Sequence, residues 1–191
     1  MARRNSRSLW SEKILKGSVA NSATPASHGR RNYIGHILGI DPSLRGSGLA
    51  VIMLDGISDP KLCASRTLKL SDKLSMPDCL GEIYKAVADF IEEWPIRHVA
   101  LEQTIYVQNF QTAMILGAAR GAAIAATSVL GKPVFEYPPL RVKQAVVGFG
   151  RASKEQVGGM MRQILSLPTT LPFDESDAAA VAMCHAYTWR E

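Results

Sequence analysis

The stretch 37–52, ILGIDPSLRGSGLAVI, leaves its backbone few options. An apolar run delivers one carboxylate, Asp41, to its end. Pro42, Gly46 and Gly48 then turn the chain into a second apolar run over 49–54. Short apolar runs bounded by turn residues read as the two strands of a hairpin, with Gly46 and Gly48 as the hairpin formers. A carboxylate at the mouth of such a hairpin suits a metal ion or a phosphate, and a kinase, a nuclease or a plain turn can all contain one. Acids further along the chain decide among them.

The order of the remaining elements narrows the fold. Strands are expected over 36–41, 49–54 and 62–69. A helix after Pro77 carries Leu80, Ile83, Tyr84, Val87, Phe90 and Ile91 at helical spacing and stops before Pro95. A strand over 97–102 ends in Glu102. Asn109 caps a long helix that runs to Leu130, where Gly131 and Pro133 end it. A strand over 134–137 and helices over 139–147, 153–166 and 174–189 complete the chain. Three strands in a meander, then helix and strand in alternation, then helices, predict an α/β fold: a mixed five-stranded sheet flanked by helices in ribonuclease-H-like order.

Charge is unevenly spread. The 191 residues carry a net +5, but residues 1–34 alone hold +6 and the rest −1. The basic balance therefore belongs to the N-terminal segment, and it does not by itself mark the domain as a nucleic-acid binder. Residues 1–34 lack periodicity and read as a disordered basic tail ahead of one domain over 35–191. An organellar transit segment, an arm making phosphate contacts and a neutral tail all fit that composition. Cys63, Cys79 and Cys184 show no zinc spacing and no disulfide framework, so reduced packing residues in a bacterial cytoplasm are expected. The most apolar stretch, 113–130, carries Arg120 in its middle, and no membrane association is expected.

Three carboxylate-bearing sites, with four acids between them, carry the chemistry. Asp41 ends the first strand, Glu102 ends the fourth, and Asp174 and Asp177 lie at i and i+3 on one face of the last helix. If the first and fourth strands are neighbours, Asp41 and Glu102 meet at one sheet edge. A terminal helix crossing that edge adds the other two. Carboxylates so close repel one another unless cations neutralise them. Hard oxygen ligands suit Mg²⁺ or Mn²⁺, and two such ions about 4 Å apart support phosphodiester hydrolysis. Each acid also has a plainer reading: Asp41 as a turn cap, Glu102 as a surface acid, and Asp174 with Asp177 as a capping box after Pro172.

The motifs ILGIDP (37–42), LEQ (101–103), LGAARG (116–121), VFEY (134–137), VKQAVVGFG (142–150), KEQV (154–157) and DESDA (174–178) stand in an order and spacing that resemble the RuvC-type Holliday-junction resolvases over 36–188. That resemblance implies a Mg²⁺-dependent endonuclease, with Mn²⁺ as a possible substitute, whose metal-binding catalytic acids are Asp41, Glu102, Asp174 and Asp177. It implies a homodimer that nicks four-way DNA junctions symmetrically, in recombination and repair, and possibly a branch-migration helicase as partner. Residues 132–162 are locally +4, and Lys143, Lys154 and Arg141 are expected on DNA. Gly117, Gly121 and Ala125 recur every four residues, so either the chain's own sheet or a second subunit can approach that helix closely. The resemblance favours the second subunit. Ser43 and Ser47 stand where the family usually has Gly and Thr. Its junction-inserting Phe falls at Ile105, with Tyr106 beside it as a candidate stacking residue. Two rivals are a junction-binding protein of the same fold without nuclease activity and an actin-like kinase; the kinase lacks a visible second phosphate hairpin.

Overall fold

Alternation along the two central strands decides which side of the sheet carries the acids. The computed structural model describes residues 33–103 and 109–190. Among these, β1 (Gly35–Asp41), β2 (Gly46–Leu54), β3 (Lys61–Lys69), β4 (Ile96–Glu102) and β5 (Val134–Tyr137) form one sheet in the order β3-β2-β1-β4-β5. The meander β1-β2-β3 is antiparallel, while β4 runs parallel to both β1 and β5. The helices are α1 (Met76–Glu93), α2 (Phe110–Val129), α3 (Pro139–Val147), α4 (Lys154–Ile164) and α5 (Phe173–Thr188). The expected mixed five-stranded α/β architecture is present.

Leu38, Ile40, Leu49, Val51, Val99 and Leu101 point to one face and pack with α1 and α2. Ile37, Ala50, Ile52 and Ala100 point to the other, under α5, with α3 and α4 beyond it. Asp41 and Glu102 fall in step with Ile37 and Ala100, so period two sends both toward α5.

Helix α5 is a central element buried on nearly all sides, as its alanine-rich sequence requires. It lies unusually close to the sheet, because two strand residues have no side chain. A Cβ on Gly39 would stand 2.0 Å from the carbonyl oxygen of Ala178, and one on Gly48 would stand 1.9 Å from that of Asp174. No side chain fits at either place. Gly46 and Gly48 are thus not the hairpin formers expected from sequence: both lie inside β2, neither has a positive φ, and the turn is made by residues 42–45. Gly48 is a seat for the helix backbone.

Tyr33, assigned to the tail on composition, is fully buried. Its ring packs edge-on against His98, His185 and Trp189, at centroid distances of 5.1, 5.3 and 5.5 Å. The packed unit therefore reaches at least two residues further toward the N-terminus than the expected boundary. Helix α1 starts at Met76 with Ser75 as its cap and Pro77 in the first turn, two residues before the start expected after Pro77.

Helix α2 has two different sides. Ala119, Ala123, Ala126 and Thr127 are buried in the protein's own core, whereas Gly117 and Gly121 have nothing within 4 Å of an added Cβ. The small-residue stripe faces away from the sheet. By length and composition α2 is apolar enough to cross a bilayer. It nevertheless carries Arg120, ion-paired to Glu136 of β5.

Candidate active site

The register of β1 on β4 pairs Ile40 with Leu101, which sets Asp41 and Glu102 side by side where both strands end. The plainer role for Asp41, capping the turn, is filled by two serines. Ser47 Oγ donates to Ser43 O at 2.5 Å and accepts from Ser43 N–H at 3.1 Å, and Gly46 N–H donates to Ser43 Oγ at 2.9 Å. Arg45 then ties the hairpin to the loop before α1, donating to the carbonyls of Ser71 and Leu74. Asp41 is left out of the turn's hydrogen bonding, and its carboxylate belongs to the cleft.

Seating α5 on Gly39 and Gly48 carries its first turn over the same edge. The N-cap position of α5 is Pro172, and no side chain caps the helix, so Asp174 and Asp177 are not a capping box. Asp177 joins Asp41 and Glu102 in lining a cleft of about 280 Å³, closed by Pro139, Val142, Lys143, Lys154, Val157 and Ala180. Asp174 does not line the cleft; its carboxylate lies beside Gly46, near enough for its charge to raise the pKa of Asp41.

Two lysines enter from the helical side. Lys154 opens α4 within the capping box of Ser153 and Gln156, and its Nζ lies 3.0 Å from Asp177 Oδ2. Lys143 of α3 donates from Nζ to Ala152 O at 2.7 Å. Arg141 does not join them. Pro139, Val142 and Lys143 form one i, i+3, i+4 face of α3, and Arg141 falls outside it, exposed and away from the cleft. Tyr106 and Ile105 lie outside the described residues.

The electrostatics follow from burial and crowding. Desolvation, then the charge of Asp177, pushes the carboxyl of Asp41 up to about 6. Desolvation, then the charge of Asp41, pushes Glu102 up to about 7. Lys154 opposes both shifts and does not cancel them. A half-buried set of hard oxygen donors that its own lysines leave under-neutralised fits a divalent cation in donor chemistry and backbone placement. Ligand geometry is not closed: among the described residues no three acidic, histidine or cysteine side chains converge on one ligating point. Asp177 instead holds Lys154.

A family model described as crossover junction endodeoxyribonuclease RuvC matches residues 37–185. The chain belongs to the RuvC family. That is a family of metal-dependent nucleases. The RuvC of Halorhodospira halophila is 44% identical over 151 residues, covering 79% of this chain and 89% of that protein. The RuvC of Geotalea uraniireducens is 45% identical over 151 residues, 78% of this chain and 87% of its own. Among solved structures, Thermus thermophilus RuvC in complex with a Holliday junction substrate superposes with a TM-score of 0.75 at 32% identity, over 80% of this chain and 93% of that one. A yeast mitochondrial Holliday junction resolvase shares the fold, with a TM-score of 0.59 at 9% identity over 83% and 82% of the two chains.

Several site residues escaped the sequence reading. In sequence Ser43 and Ser47 are only departures from the family pattern, whereas in the structure they form the lock that frees Asp41. Behind the cleft, the Nε2 of His185 lies 2.9 Å from the Nδ1 of His98, and Tyr137 Oη lies 2.7 Å from the Nδ1 of His185. This buried chain ties α5 to β4 and β5, the elements next to Glu102. Desolvation, then His98, pushes His185 down to about 4, so both rings are neutral at physiological pH.

The raised acids make stability depend on pH. Between the ordinary carboxylate range and about 7, the folded protein binds more protons at Asp41 and Glu102 than the unfolded chain does. Their contribution is present at low pH and is lost as pH rises through about 6 to 7. Without added divalent cation, Asp41→Asn should therefore raise Tm above wild type by roughly 3 °C or more at pH 7.5, with the gap shrinking at pH 4.5. Thermal melts of both proteins check this; equal melting at pH 7.5 would show that the cluster is not strained.

Proposed function

We propose that this chain resolves four-way DNA junctions by hydrolysing one phosphodiester per active site, with Mg²⁺ as the physiological ion and Mn²⁺ as a substitute. The observation that carries the proposal is the meeting of Asp41, Glu102 and Asp177 with Lys143 and Lys154 around one cleft, in a chain of the RuvC family. Asp41, Glu102, Asp174 and Asp177 would hold the divalent ions, which supply activation of water and neutralisation of charge on the scissile phosphate.

The chain's own residues do the rest. Glu102 and Asp41 are the half-buried pair whose raised pKa values favour exchanging their protons for a cation. Lys154 is bound to Asp177 and 57% exposed, which leaves it able to turn from carboxylate to DNA phosphate as a strand enters. Lys143, fixed by the Ala152 carbonyl, presents a second positive charge on the same wall. Pro139, Val142, Val157 and Ala180 keep that wall apolar and strengthen every charge interaction in front of it. No covalent protein intermediate is required.

A junction binder without nuclease activity is disfavoured, because an anionic cluster facing phosphate weakens binding unless cations use it. Incubation with a synthetic four-way junction and Mg²⁺ or Mn²⁺ should give paired nicks at symmetric positions. Asp41→Asn should lose cleavage by about 10³-fold or more and keep its junction affinity. Junction binding by wild type with no nicks in either ion would return the reading to the binder.

We further propose that the protein acts as a homodimer through the outer side of α2. Phe110, Met114 and Val129 are 76%, 58% and 71% exposed there, in line with Gly117 and Gly121. Apolar side chains flanking open glycines suit close helix packing by a second copy. Two active sites on one symmetric particle would account for paired nicks, and a branch-migration helicase would then act on the same junction. Sedimentation should give twice the chain mass for wild type and a folded monomer for Gly121→Glu; a monomeric wild type would contradict this.

A further inference from the structure

Between the two α5 acids stands a third, Glu175, and its carboxylate is turned the other way. Glu175 Oε2 accepts from Ser65 Oγ at 2.5 Å, and Oε1 accepts from Thr67 N–H at 3.1 Å and Thr67 Oγ1 at 3.2 Å. Three donors on edge strand β3 thus hold one carboxylate from the helix. The placement follows a single row across the sheet. Thr67 pairs with Gly48, and Gly48 pairs with Asp41. The backbone of Asp174 sits directly above Gly48. One residue later, Glu175 reaches the outer end of that row.

The need for such a hold is physical. The first turn of α5 has no side-chain cap, so its amides lack the usual partner. It also carries Asp174 and Asp177 toward Asp41, whose carboxyl feels the charge of both. Repulsion pushes the turn off the sheet, and the glycine seat resists approach from below without pulling from above. Within the turn, Ser176 Oγ reaches the Leu171 carbonyl at 3.3 Å, a contact local to the helix start. The bonds from Glu175 tie the turn to the sheet. Charge-assisted bonds of this sort are roughly twice as strong as neutral ones.

We propose that Glu175 is a positioning residue. It clamps the first turn of α5 to β3, keeps Asp174 and Asp177 facing Asp41 and Glu102, and thereby sets the affinity of the acid cluster for divalent cations. This rests on the metal-dependent reading of the site given above. Glu175 does not itself ligate the ion, since its oxygens are committed to Ser65 and Thr67.

The test uses the full chain, with Glu175→Ala, Glu175→Gln and a Ser65→Ala/Thr67→Val double variant that leaves every acid in place. Two quantities are read. One is the Mn²⁺ concentration for half-maximal cleavage of a four-way junction; the other is hydrogen exchange at the amides of 176–179 in protein without added cation. Glu175→Ala and the double variant should each raise the Mn²⁺ midpoint about tenfold. The maximal rate at saturating Mn²⁺ should fall by less than that, and exchange in the first turn of α5 should quicken. Glutamine keeps one oxygen for the Thr67 amide and an NH₂ for Ser65, so Glu175→Gln should recover most of the midpoint; a ligand role predicts no such rescue. An unchanged midpoint in the double variant, or a glutamine as damaging as alanine, would overturn the proposal. Should wild type cut nothing in any cation, the metal-dependent reading fails separately. Exchange alone then decides the clamp: faster exchange in the double variant supports it, and equal exchange overturns it.

Discussion

The contact on which the rest of the site depends is the backbone of α5 lying directly on β1 and β2. Gly39 and Gly48 admit the Ala178 and Asp174 carbonyls where any methyl would stand about 2 Å away. Helices usually pack on sheets through interleaved side chains, which keeps their backbones well apart. Here the missing side chains let the first turn of α5 drop onto the sheet edge where β1 and β4 end. Two carboxylates from strands and Asp177 from the helix then line one cleft, with Asp174 close enough for its charge to reach Asp41, although Asp41 and Asp177 are more than 130 residues apart in sequence.

That proximity is costly, and the structure shows how the cost is carried. Asp41 and Glu102 are pushed up toward neutral pH by burial and by one another. Lys154 relieves Asp177, and Lys143 adds a second charge without contacting a carboxylate as closely. The packing behind the cleft is correspondingly firm. The chain His98, His185 and Tyr137 joins α5 to β4 and β5, with Tyr33 and Trp189 packed edge-on around it. A rigid frame around an under-neutralised anionic centre is what a cation-dependent hydrolase needs, because the ligands cannot relax away from one another when the ion is lost.

Much of this was legible in the sequence. Hydrophobic period marks all five strands and the helices, and Asp41 and Glu102 meet on the condition, met in the sheet, that β1 and β4 are neighbours. What stayed hidden were interactions set by the third dimension alone. Gly48 reads as a turn former beside Gly46 because nothing local reveals a helix 126 residues later pressing on it. Glu175 reads as one more first-turn acid, since its donors lie 108 and 110 residues away on β3. Arg141 looks equivalent to Lys143 in a basic segment, but helical phase turns it out of the cleft. Tyr33, a lone aromatic at the end of a polar stretch, gave no periodic signal, and only its contacts with His98, His185 and Trp189 make it core.

If the seat of α5 builds one cation site from acids on three elements, a divalent ion binds where β1, β4 and α5 meet. Anomalous scattering from crystals grown with Mn²⁺ tests it most directly, because the ion is located without reference to activity. Mn²⁺ density is expected within the bounds of Asp41, Glu102 and Asp177, with metal–oxygen distances of roughly 2.0–2.2 Å and Lys154 withdrawn from Asp177. Crystals at saturating Mn²⁺ with no peak among these carboxylates, and Lys154 still bonded to Asp177, would contradict it.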